Sequence, residues 1–299
     1  MIRLTTIVAA LALGLALAAP VAAQDAAESH ATPLIDKQNW SFSGLFGTYD
    51  VHQLQRGFQV FQNVCANCHG ANLMSFRNLA ERGGPEFSED QVKALAASYT
   101  IADPTVEGGE RPGVPADRWP LLLSAADAIA AYGVVPPDLS VMAKARGTTQ
   151  PFPWWILNYF TVYAEGGPDY IHALMLGYRD PPPEGAEVPE GRYYNEYFPG
   201  HAFGMPPQLF DGSVTYEDET FPQTVDQYAR DVSAFLMWLA EPHMVERKAA
   251  GFRVIAFLLL FAGLMWFVKN RLWAPIHHHN PSPKEAAAHG STKAPPGGH

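Results

Sequence analysis

The sequence predicts a mainly α-helical domain with long loop insertions, carried on one C-terminal transmembrane helix. Three observations point there. Apolar residues recur at helical spacing in the segments before residue 65 and after residue 224. No run alternates regularly enough to claim a sheet. Two apolar stretches of different character stand near the two ends of the chain. With 25 Gly and 26 Pro among 299 residues, the helices share the chain with many turns.

The elements follow in order. Arg3 opens a short positive region, Leu4 to Ala18 is apolar, and Pro20 precedes the small-residue site Val21-Ala22-Ala23. That is the pattern of a secretory signal peptide, residues 1–23, so the domain of residues 24–245 is expected to be exported. Residues 24–48 read as an extended lead-in. Asp50 is expected to cap a helix in which Val51, Leu54, Phe58, Phe61 and Val64 make one apolar face running into Cys65. Residues 104–120 read as a long surface loop, and Leu121 to Tyr132 as a short helix ended by Gly133 and Pro136-Pro137. Pro153 to Tyr163 reads as a helix or a wall of the core, and Pro181 to Gly191 as another loop. Thr224 and Gln227 predict a capping box for a last soluble helix with a stripe of Val225, Tyr228, Val232, Phe235 and Leu239.

The second apolar stretch, within residues 246–274, predicts the transmembrane helix. Its charge-free core, Val254 to Val268, is 15 residues long, about 22 Å of helix. Arg253 and Lys269 at its ends can snorkel, and Trp266 and Trp273 suit the membrane interface. An exported domain followed by such a helix is expected in the periplasm on a single-pass inner-membrane anchor, with a disordered cytoplasmic tail of residues 275–299. Lys269 and Arg271 agree with that orientation; Arg247, Lys248 and Arg253 on the other flank weaken the charge test. The His277, His278 and His279 run in the tail reads as solvated linker.

Charge excludes one class of partner. Between Gln24 and Glu246 the sequence places 29 acidic against 12 basic side chains. Such a domain repels nucleic acid and attracts basic proteins.

Cys65 and Cys68 are the only two cysteines. A disulfide between them would close too small a loop to restrict the unfolded chain much. They stand in Cys65-Ala66-Asn67-Cys68-His69, a C-x-x-C-H haem attachment pattern. Two sulfurs three residues apart share a helical face and can both reach one porphyrin, and His69 can then ligate its iron. A thioredoxin-like pair would need a βαβ setting, which the sequence does not offer. The sixth ligand remains open at this level. Met205, in Gly204-Met205-Pro206-Pro207, sits on a stiffened loop; Met142 and His201 are alternatives. Met175, Met237 and Met265 lie in apolar helical patterns and read as core or lipid-facing. The helices on either side of this chemistry are expected to cross at Gly57, with Phe58, Phe61, Phe235 and Trp238 sealing the haem from water.

The chain resembles the cytochrome c1 family of cytochrome bc1 complexes, in its alphaproteobacterial form. The resemblance rests on Arg56-Gly57-Phe58-Gln59-Val60 before the haem motif and Ser75-Phe76-Arg77-Asn78-Leu79 after it. It also rests on Pro136-Pro137-Asp138-Leu139-Ser140, Ala145-Arg146, Met205-Pro206-Pro207, Asp231 to Trp238, Ala240-Glu241-Pro242 and Arg271-Leu272-Trp273. It covers nearly the whole mature chain. It implies one haem c on Cys65 and Cys68, His69 and Met205 as iron ligands, and Arg146 paired with a haem propionate. It implies electron transfer from a Rieske iron–sulfur protein to a soluble cytochrome c, beside a cytochrome b subunit within a dimeric complex. The competing readings are a free-standing membrane-tethered cytochrome c shuttle and a peroxidase with an open sixth position. Two departures from the family pattern stand out: Ala131 and Tyr132 replace asparagines, and no second Cys pair braces the Met205 loop. That loop is expected to be held by packing around Tyr193, Tyr194 and Tyr197.

Overall fold

A computed structural model describes residues 34–146, 153, 156–158, 163 and 165–278. Residues 1–23, expected to be a signal peptide, and most of Pro153 to Tyr163 lie outside the described residues, as does the tail beyond His278.

The first helix, α1 (Val51–Asn63), starts where the sequence places it. Asp50 Oδ1 accepts from His52 N at 2.9 Å and Gln53 N at 3.1 Å, covering two amides that the helix cannot satisfy itself. Leu54, Gly57, Phe58, Val60 and Phe61 are its buried face. The helix gives way to a 3-10 turn, Cys65–Asn67, and then to the strand β1 (Ala71–Ser75). The α2 helix (Glu89–Ala97) follows, with Ser88 and Gln91 closing a capping box.

Residues 104–120 are more ordered than a plain loop. β2 (Thr100–Ala102) pairs with β3 (Glu110–Pro112), and β4 (Arg118–Trp119) pairs with β1, both antiparallel. Arg111 locks the excursion through Asp103 at 2.8 Å and Asp117 at 2.6 Å. Hydrogen bonds from Thr105 and Arg111 hold the Asp103 carboxyl down to about 2. With the hairpin of β5 (Tyr193–Tyr194) and β6 (Ala202–Phe203), the described residues carry three two-stranded sheets. The absence of a sheet signal in the sequence is thus corrected: strands of two to five residues are too short to show a period of two.

The helix expected over Leu121 to Tyr132 is shorter, α3 (Ala125–Tyr132), because Ser124 caps it by accepting from Asp127 N at 3.1 Å. Two further helices, α4 (Met142–Ala145) and α5 (Gly166–Leu176), lead to α6 (Val225–Ala240). Only half of the expected capping box is made on α6. Thr224 Oγ1 accepts from Gln227 N at 3.4 Å, and Gln227 sends no bond back. Hydrophobic burial holds this helix instead, since every residue from Tyr228 to Leu239 except Arg230 is buried.

The α1 and α6 helices cross at the centre of the domain. A methyl group on Gly57 would overlap the Asp231 carbonyl, so only glycine allows the approach. Asp231 sits fully buried at that crossing. Its oxygens accept from Arg56 Nε at 2.9 Å, Arg56 Nη2 at 3.2 Å, Gln53 Nε2 at 3.2 Å and Tyr216 OH at 3.0 Å. Four donors on one carboxylate make a buried charge tolerable. Around the crossing, Phe58, Phe61, Phe76, Tyr99, Trp119, Phe235 and Trp238 interlock with ring centroids 4.9 to 5.8 Å apart.

The lead-in segment stacks Trp40 on Phe42 and is tied to α5 through Asp169, whose Oδ1 accepts from Trp40 Nε1 at 2.7 Å and Gln38 N at 3.0 Å. The last helix, α7 (Met244–His278), is long and apolar enough to cross a membrane. Its best 18-residue window has a mean hydropathy of 2.1 and none of it is buried. It begins inside the domain: Met244 is buried, Arg247 pairs with Glu241, and Lys248 Nζ donates to the Phe42 carbonyl at 2.7 Å. The backbone continues helical beyond Ala274, through Pro275 to His278.

Candidate cofactor site

One side of the α1–α6 crossing opens into a cavity of about 340 Å³, within the range of small-molecule and cofactor pockets. Its floor is aliphatic, made by Val64 from the end of α1 and by Val232 and Leu236 from α6. The aromatics expected to seal it, Phe58, Phe61, Phe235 and Trp238, are not in its lining and fill the core behind that floor. A helix buried all round has two faces to fill, and the cavity takes the aliphatic one.

Cys65, Cys68 and His69 enter the cavity from the 3-10 turn. That turn suits the spacing better than an α-helix, since residues three apart eclipse in it. Cys68 N donates to the Cys65 carbonyl at 3.2 Å and His69 N to the same oxygen at 2.9 Å. Burial pushes the Cys65 thiol up to about 12.

His69 is oriented by the segment Pro136 to Ser140. Its Nδ1 donates to the Pro137 carbonyl at 2.7 Å, which leaves Nε2 with its lone pair free. Burial lowers the His69 pKa, favouring the neutral ring that a metal takes. The segment is itself stitched to the haem-motif strand. Leu139 N donates to the Gly70 carbonyl at 2.8 Å, Asn72 N to Asp138 Oδ2 at 2.8 Å, and Leu73 N to Ser140 Oγ at 3.0 Å. Two prolines in succession offer no N–H and have fixed φ, so the Pro137 carbonyl is rigidly aimed.

The opposite wall comes from the β5–β6 hairpin. Met205 is separated from the end of β6 by one residue and lines the cavity, with its backbone carbonyl accepting from Tyr178 OH at 2.9 Å. Asn195, fully buried, braces the hairpin by donating to the Leu174 carbonyl at 2.8 Å and accepting from Tyr197 N at 3.0 Å. Of the three tyrosines expected to hold the loop, Tyr194 stacks on His201 at 5.4 Å and Tyr197 packs by Gly177, while Tyr193 is exposed. His201 turns away: its Nδ1 donates to the Asn195 carbonyl at 3.0 Å, and the ring is not part of the cavity lining. Met142 and Met175 do line the cavity, so Met175 is not simply core; Met237 is buried in the core and Met265 is exposed on α7.

Arg146, at the end of α4, lines the cavity beside Tyr170. Sequence reasoning missed Arg192, Tyr178 and the Pro137 carbonyl. The first two carry no local motif, and the third is main chain. The donor set fits a haem: two thiols and an imidazole on one side, a thioether on a braced loop, apolar walls, and guanidinium groups for carboxylates.

A sequence profile described as the Cytochrome C1 family matches residues 40–276. The chain belongs to the cytochrome c1 family. It is 49% identical over 276 residues to cytochrome c1 of Blastochloris viridis, covering 89% of this chain and 94% of that protein. It is 41% identical over 297 residues to cytochrome c1 of Rhodospirillum rubrum, covering 92% of this chain and all of that protein. It is 50% identical over 259 residues to a protein of Bradyrhizobium diazoefficiens named cytochrome b/c1, covering 85% of this chain but only 38% of that longer protein. Membership of the cytochrome c1 family implies haem c, and Cys65 and Cys68 before His69 are consistent with its covalent attachment. The mostly helical domain and its apolar C-terminal helix are those of a membrane-anchored cytochrome c1.

Proposed function

We propose that this chain is the haem-carrying electron-transfer subunit of a cytochrome bc1 complex, taking single electrons from a Rieske iron–sulfur protein and passing them to a soluble cytochrome c. The observation that carries this reading is the meeting of the C-x-x-C-H turn, Met205 and Arg146 in one cavity of a cytochrome c1 chain. When bound, haem c supplies a ferric–ferrous couple that stores one electron. Cys65 and Cys68 would hold it through two thioethers, each thiol adding across one vinyl group. His69 would ligate the iron through Nε2, held in that tautomer by Pro137. Met205 would be the sixth ligand, stabilising the ferrous state and leaving no open position for a peroxidase. Arg146 would pair with a propionate. Val64, Val232 and Leu236 would keep water from the buried face.

The surroundings support the same reading. The acidic excess of the domain suits a basic acceptor. The exposed apolar surface of α7 suits lipid and a polytopic partner, and the name of the longer Bradyrhizobium relative joins b with c1. A signal peptide before residue 24 would set the haem domain in the periplasm and the tail in the cytoplasm.

The test is purification from membranes in mild detergent. The chain should carry haem that survives denaturation, and it should bring with it a haem b subunit and an iron–sulfur protein. A colourless chain of bare-polypeptide mass with free thiols would overturn the cofactor. A haem protein that purifies alone, with quinol oxidation intact after its deletion, would point instead to a tethered shuttle.

A further inference from the structure

Two guanidinium groups, those of Arg146 and Arg192, line the cavity. Arg192 stands at the start of the hairpin whose other end is Met205, so cation and thioether flank the same β5–β6 unit. A methyl group on Gly204 would overlap Arg192 Nη1 and approach Val134 Cγ2 to 3.2 Å. The guanidinium therefore passes across the backbone immediately before Met205. The lack of a side chain on Gly204 leaves that path open.

This cation is half-buried and has no acidic neighbour in the cavity, whose lining contains neither Asp nor Glu. Among the described residues no carboxylate or carbonyl accepts from its side chain. The other half-buried guanidinium groups of the domain have acceptors: Arg56 bonds Asp231, Arg111 bonds Asp103 and Asp117, and Arg230 bonds Gln38 Oε1. A guanidinium against apolar walls is costly without an anion, and Arg is the side chain suited to a planar carboxylate. A chain with 30 acidic and 20 basic residues that keeps acids out of one cavity and puts two arginines in it has shaped that cavity for a dianion.

We propose that Arg192 is a positioning residue that binds a carboxylate of the haem, as a second cationic partner beside Arg146, and couples that carboxylate to the Met205 loop through its passage over Gly204. The proposal rests on reading the cavity as the haem site. A fixed positive charge there favours the reduced, less positive iron, and it keeps the bound carboxylate ionised across neutral pH.

The test compares purified complexes carrying Arg192→Gln, Arg192→Met and Arg192→Lys with the natural sequence. The readouts are covalent haem content, the red absorption band of methionine bound to ferric iron, and midpoint potential against pH. The Gln and Met variants keep an unbranched side chain and remove the charge. They should retain haem and the methionine band, show a lower potential, and gain a pH dependence across the neutral range as the unpaired carboxylate titrates. The Lys variant should recover most of the potential. Loss of the methionine band with the pH profile unchanged would make Arg192 a packing residue and overturn the proposal. A potential and profile equal to the natural protein's in a haem-loaded Gln or Met variant would also overturn it. Absence of haem from the natural protein would instead overturn the reading of the cavity, and the proposal with it.

Discussion

At the scale of single residues, the site is a set of side chains made reliable by main-chain neighbours. His69 is in a pattern anyone can read, but its tautomer depends on the Pro137 carbonyl, 68 positions away. Cys65 and Cys68 were legible because their chemistry needs a fixed local spacing. Met205 was one candidate of several; His201 falls away because its ring bonds to Asn195 and leaves the cavity lining. Replacing Met205 with Leu should lower the midpoint potential, on the order of a few hundred millivolts, since axial ligands dominate haem potentials. Redox titration of the purified variant checks this; an unchanged value would remove Met205 from the iron and turn attention to Met142 and Met175, which share the cavity.

At the scale of elements, the long helices were legible and the short strands were not. The α1 helix shows its cap and its apolar face in the sequence because both repeat within a few residues. The β5–β6 hairpin has two residues a side, and nothing of that length has a period. Its bracing comes from Asn195 and Tyr178, polar groups whose partners are distant in sequence. The crossing of α1 on α6 is the element contact on which the cavity floor depends. Gly57→Ala should force the helices apart, destabilising the protein by at least about 1–3 kcal/mol as overpacking does. Thermal unfolding of the haem-loaded protein measures it. An unchanged midpoint would mean that the α6 backbone can yield at Asp231.

At the scale of the whole molecule, charge and burial make two further expectations. Electron transfer from the complex to a basic cytochrome c should slow as salt rises, because exposed charges are screened beyond about 10 Å at 0.1 M. Stopped-flow rates at increasing salt test this, and a flat profile would leave the acidic excess to solubility alone. The second expectation concerns Asp169, which ties the lead-in segment to α5. Burial raises its carboxyl to about 6, above the ordinary value of about 3.9. The folded state then holds a proton that the unfolded state releases, so stability falls as pH rises between these two values and levels off above them. Unfolding midpoints across that window should show the fall. In Asp169→Asn, which keeps an oxygen to accept from Trp40 and Gln38, the fall should be smaller. Equal slopes in both proteins would place the pH dependence elsewhere. The same scale explains the basic residues on the domain side of α7. Arg247 and Lys248 are held by Glu241 and Phe42, so they serve the joint between helix and domain.

What the order of amino acids already decides here is whatever local rules govern: the attachment turn, the caps and faces of α1 and α6, and an apolar stretch long enough to span a bilayer. Those features are short-range or contiguous in sequence, so their physics is visible along the chain. Folding alone decides which wall of the crossing meets the cofactor, which carbonyl aims His69, and that Arg192 arrives beside Met205. These are meetings of groups far apart in sequence, selected by packing volume and by the need to pair buried charge and hydrogen bonds.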